Sequence, residues 1–345
     1  MIVGGIPLLL GSAALPGARY VAVSFGIDTF IAVYPWSSAG FGTKFANPAT
    51  LPTGTGNNVA FTSNSDAIAV AHGGVPHVTA YPWSSSGFGT KFTDPATAVP
   101  STGRGVTFTA ARDVIMVAHA SSPYASAYAW STSGFGTKFA NPATLLTGEG
   151  FGAAFTSNSD AVAFPIDGIP YVSAYPWSGS GFGAKFAAAA TQPPNAGTST
   201  AFTPTRNALA LSHLGSPNVS VYAWSISGFG TKFANPATLP AGNGRSVAFN
   251  STGNVLLIGH DDTPFIAAYA WSGSGFGTKF ANPGTLMGNT CSSVAFTSND
   301  SAIALSNYST PFIGAYAWST SGFGTKFSDP ATLPSGIAYG ISFGV

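Results

Sequence analysis

Charge is what this 345-residue chain has least of: Asp, Glu, Lys and Arg together make up 7% of it, and the net charge is +1. An ordinary globular protein carries roughly a quarter. Nucleic-acid binding needs clustered Lys and Arg, so that partner is excluded. Cysteine is nearly absent as well. Cys291 stands alone, which rules out an internal disulfide framework and any Cys/His spacing for zinc. Long apolar runs are missing too, because the longest, in "MIVGGIPLLLGSAALPGAR", is far too short to span a bilayer, and it lacks the basic start of a secretory leader. The sequence also shows no GxSxG elbow and no phosphate-binding loop ahead of a helix, so neither catalytic residues nor a cofactor are expected.

What the chain does have is repetition. Its seven tryptophans, Trp36, Trp83, Trp130, Trp177, Trp224, Trp271 and Trp318, are each 47 residues from the next. The lysines of "GFGTKF" keep the same step from Lys44 to Lys326. A fixed period without insertion or deletion means one supersecondary unit copied, with each copy needing its neighbours. A single closed domain over residues 20–345 is therefore expected, preceded by an apolar N-terminal arm over residues 1–19.

Within one unit, "VAFTS", "AIAVAH", "VTAYPW" and "GFGTKF" read as four short strands, separated by the turn clusters "NSD", "GGVP" and "SSSG". In the second of them Ile68, Val70 and His72 alternate with Ala67, Ala69 and Ala71, and in the third Tyr81 and Trp83 alternate with Ala80 and Pro82. A sheet with one bulky face and one small-residue face buries both only by stacking on copies of itself, and a ring leaves no copy uncovered. The fold class is accordingly all-β: a seven-bladed β-propeller of four-stranded antiparallel blades, with the seven Trp as inter-blade core. The first-strand Phe recurs from Phe61 to Phe343, whereas Ala14 stands one period before Phe61. The C-terminal "GISFGV" is thus expected to join the N-terminal strands and close the ring within one blade; Ser12 to Leu15 is the competing occupant of that place.

The chain resembles the seven-bladed β-propeller group and, in the aromatic pair of "AYAW" at 127–130, its WD40-like repeats. It departs from WD40 repeats in carrying Ser after each Trp and no Gly-His pair. The phrase "SGFGTKF" also resembles repeats in structural proteins of tailed bacteriophages. These resemblances imply a non-enzymatic structural or interaction module, in a virion or extracellular setting, with other protein subunits as partners through residues 1–11. The alternative from a different class is a multivalent lectin for cell-surface glycan, which requires a repeated aromatic such as Phe41 to be open to solvent.

Four histidines, His72, His119, His213 and His260, share one repeat position, and Asp261 and Asp262 are adjacent carboxylates beside the last of them. Equivalent positions on different blades are spread around a ring, so convergence on one metal ion is not expected. These six residues mark a candidate binding face, since the second-to-third-strand and fourth-to-first-strand loops differ from unit to unit while the "WSxSGFG" turns hardly vary.

Overall fold

The computed structural model describes residues 17–345, so most of the apolar arm, including residues 1–11, lies outside the described residues. The described residues form seven four-stranded antiparallel sheets and no helix, and so no helix long and apolar enough to cross a membrane. In the third blade the order from the axis outward is Gly103–Phe108, Val114–His119, Ala125–Ser131 and Gly134–Lys138. The first blade takes its innermost strand, Ala338–Gly344, from the C-terminus and pairs it with Tyr20–Phe25. Val21 faces Phe343 in that register, which closes the ring through both ends of the chain.

Stacking is large against small. Ala67, Ala69, Ala71 and Ala80 of the second blade meet Ile115, Val117, Tyr128 and Trp130 of the third. Each Trp sits at the seam between two units. Trp130 contacts Phe108 and Phe135 of its own blade at 5.1 and 5.2 Å and Phe92 of the preceding unit at 5.3 Å, all edge to face. Tyr81 reaches back in the same way, its hydroxyl donating to the Thr50 carbonyl oxygen at 2.7 Å. The seven glycines that open the fourth strands, such as Gly134, have φ between 93° and 106°, in the left-handed region. A Cβ at Gly134 would stand 2.8 Å from the Phe92 ring, so this turn has two reasons to keep glycine in every copy.

Proline sets the differences between blades. The fourth strand runs for five residues where the third carries Ala129, Ala223, Ala270 or Ala317, and shrinks to two where it carries Pro35, Pro82 or Pro176. The backbone N–H of Trp83 is used by the second strand, through Asp66 O at 2.8 Å, so by alternation the neighbouring N–H faces the fourth strand. Proline has no such donor. The expectation of a full "GFGTKF" strand in every blade is corrected accordingly. Pro165 acts likewise in the fourth blade, where the innermost strand is only Ala154–Phe155 with an isolated bridge between Gly150 and Ile166.

Candidate functional site in the channel mouth

Seven residues at one repeat position, each from the innermost strand region of a different unit, ring the central channel: Asn57, Arg104, Phe151, Thr198, Arg245, Ser292 and Tyr339. They line a bowl of about 600 Å³ whose upper wall includes Tyr308 and Leu214 from second-to-third-strand loops. This is the face of the unlike loops. One residue further along each strand, a narrower neck of about 150 Å³ begins, lined by Asn58, Ser199, Ser246 and Ser293. Those side chains also tie blade to blade, accepting from the next blade's backbone N–H: Asn58 from Val106 at 3.1 Å, and Ser246 from Val294 at 3.2 Å. Three small hydroxyls and an amide here leave the channel open below the bowl.

Two guanidinium groups dominate the electrostatics. Arg104 in the third blade and Arg245 in the sixth stand across the ring from one another, and both line the bowl and its neck. Arg245 donates two hydrogen bonds to the Asp261 carboxylate, from Nε at 2.6 Å and from an Nη at 2.8 Å. Burial opposes ionisation of Asp261, but these bonds, the Arg245 charge and the Asn243 amide at 3.2 Å outweigh it and hold its carboxyl below the usual range. The pairing in turn raises Arg245. Arg104 donates through Nε to Glu149, leaving its two terminal nitrogens without a partner among the described residues. Tyr308 packs edge-on against Tyr339 at 5.8 Å, and burial pushes its phenol up. The result is a bowl with two fixed cations, aromatic walls and several hydroxyls, each cation held by a carboxylate that does not itself line the bowl.

The histidines singled out by their shared position do not open into it. His72, His119, His213 and His260 are fully buried. The first three share a hydrogen bond through Nε2 with a hydroxyl on the third strand: Thr79 at 2.9 Å, Ser126 at 3.1 Å and Ser220 at 3.0 Å. His260 faces Ala267 instead, and neither ring nitrogen has a partner among the described residues. Burial pushes the His72, His119 and His260 rings down to about 4 and lowers His213 as well. Asp261 and Asp262 part company: the first turns to Arg245, and the second is exposed at the loop tip. Among the described residues no three His, Cys, Asp or Glu side chains gather into a metal site.

Arg104, Arg245 and Glu149 escaped the sequence reading. The two arginines had their signal in a column: position 57 and its repeats read Asn, Arg, Phe, Thr, Arg, Ser, Tyr, whereas Glu149 stands two positions before the Phe151 member and outside it.

No protein-family profile and no curated protein sequence matches the chain. Solved structures do. A protein of Lactobacillus plantarum superposes with a TM-score of 0.75 at 15% identity, covering 94% of this chain and 99% of its own. A candidate 6-phosphogluconolactonase from Bacteroides uniformis gives 0.75 at 10%, covering 95% and 99%. The periplasmic gluconolactonase of Pseudomonas aeruginosa gives 0.71 at 14%, covering 94% and 99%. At such identities the likeness establishes the fold. Two of these neighbours carry the names of enzymes and none that of a particle protein, so the expectation of a non-enzymatic virion component is corrected; the resemblance to a seven-bladed propeller holds, and these neighbours add nothing for phage or WD40 repeats. The glycan-binding alternative required Phe41 to be open to solvent, and Phe41 is half-buried, its ring against Trp36 at 5.1 Å.

Proposed function

We propose that the chain is a hydrolase that opens the lactone of an acidic or phosphorylated sugar acid in the channel-mouth bowl. The observation that carries this reading is the pair Arg104 and Arg245, brought from opposite blades to one bowl, each held by a carboxylate. A guanidinium fixed on one side presents its remaining N–H groups in a set direction, which suits a carboxylate or phosphate on the ligand. Thr198, Ser292 and Asn57 donate to carbonyl oxygens of the next blade and have oxygens left to accept from sugar hydroxyls. The lactonase names of two solved structures with this fold support the choice of reaction.

In the step itself, water adds to the lactone carbonyl and the bond from that carbon to the ring oxygen breaks. The ring oxygen leaves as a hydroxyl, and the product is the free acid. In this reading Glu149, paired with Arg104 behind the bowl wall, takes the proton from the attacking water and returns it to the leaving oxygen. The negative charge that develops on the carbonyl oxygen is met by guanidinium N–H groups already in position. Asp261, held acidic by Arg245, serves to orient that arginine rather than to accept a proton.

Acid release from gluconolactone and 6-phosphogluconolactone, measured above spontaneous hydrolysis, tests this. Arg245→Ala and Arg104→Ala are each expected to lower kcat/KM by on the order of 10²-fold. A purified chain that accelerates neither lactone overturns the reading.

A further inference from the structure

On the face opposite the bowl, where the first-to-second-strand and third-to-fourth-strand turns lie, the seams between blades carry a repeated seat. Between the second and third blades it is lined by Trp130, Phe92, Pro82 and Ala67, with a volume of about 530 Å³. The equivalent seat between the fourth and fifth blades has Trp224, Phe186, Pro176 and Ala161 and about 470 Å³. Between the sixth and seventh it has Trp318, Phe280, Ala270 and Val255 and about 450 Å³.

The first seam shows what such a seat takes. One period before Ala67 the chain carries Tyr20, and its ring lies in the seat between the first and second blades. It meets Trp83 edge-on at 5.3 Å, with Phe45 at 6.0 Å and Phe61 at 6.3 Å. Trp83 and Phe45 are the period equivalents of Trp130 and Phe92, so the walls are the same and only the occupant differs. Tyr20 arrives on extended backbone, as the first residue of a strand.

We propose that the open seats bind the aromatic side chains of a tyrosine-bearing polypeptide partner, in the manner in which Tyr20 fills the first. Edge-to-face contact with a Trp and a Phe gives an aromatic ring its favoured geometry on two sides. The rim supplies what a peptide backbone needs: the Arg112–Asp66 pair at 2.7 Å stands at one seat and the Arg206–Asp160 pair at 2.7 Å at another. Ile226, 87% exposed on the rim of the fourth-to-fifth seat, extends the apolar contact beyond the ring itself. Several seats on one face let a partner with spaced tyrosines gain by multivalency.

Titration of the purified chain with the peptide Gly-Ser-Tyr-Ser-Gly, followed by tryptophan fluorescence and calorimetry, tests the proposal. Tyr20→Ala should raise the stoichiometry by one seat and Ala67→Tyr should lower it by one. Both variants place a residue that the chain already carries at that repeat position, so both are expected to fold. Unchanged stoichiometry in the two variants overturns the proposal. So does equal affinity for p-cresol, which would make the seats sites for small phenols, or displacement of the peptide by methyl glucoside, which would make them sugar sites.

Discussion

At the scale of single residues, the four buried histidines make stability depend on acidity. In the folded chain burial holds three of them down to about 4, against 6.5 for an unperturbed ring, and His213 shifts the same way. Protonation therefore favours the unfolded chain. The stability these rings contribute is complete above about pH 6.5 and is lost as pH falls from there towards 4, at a cost on the order of 3 kcal/mol for each of the three held near 4. Thermal unfolding followed from pH 7 to pH 4 should show a Tm that falls steeply over that window, more than in a His72→Asn, His119→Asn double variant. A flat profile would mean that the rings are not held neutral. That they share one position was legible in the sequence. Their closure from solvent was not, because it comes from the neighbouring blade, and neither was the hydroxyl on the third strand that three of them share and His260 lacks.

At the scale of the strand, one ring of proline decides how far a sheet extends. Pro82→Ala should give the second blade the five-residue outer strand of the third, with new amide protection at residue 82, whose N–H would then be free to donate to that strand. The gain expected is roughly fivefold in exchange protection, the equivalent of about 1 kcal/mol for one backbone hydrogen bond. An amide at residue 82 that exchanges as fast as an unprotected one would show that the Pro is not what shortens the strand. The alternation that distinguishes bulky from small faces was readable from Ile68, Val70 and their alanine neighbours, since period two is a property of any strand. The strand lengths were spelled out in "YPW" and "YAW" as well, yet they follow from which way one N–H points, and that is a matter of register.

At the scale of the whole molecule, the ring is held by one blade made from both ends of the chain. Removing residues 338–345 takes away the strand that covers Val21 and Val23, together with Ile341 in the same cluster. Exposing that much apolar surface should abolish cooperative unfolding and enlarge the hydrodynamic radius, and a synthetic peptide of residues 336–345 should restore both. A truncated chain with an unchanged Tm would show that closure does not depend on this strand. The 47-residue period made the ring legible, but not the bowl. Arg104 and Arg245 lie three periods apart in the sequence and meet only because the circle brings unlike members of one column to a common axis.

The backbone N–H of Arg19 donates to the Gly344 carbonyl oxygen at 2.8 Å, so the described start of the chain and its end lie side by side in one sheet. Topologically residues 19–345 form a loop with a single nick. Joining those two points covalently and opening the chain in any of the six continuous first-to-second-strand turns would yield a circular permutant with the same sheets and the same bowl. In such a permutant another blade would become the clasp, and the stability of each permutant would report how much strength each seam lends to the closed ring.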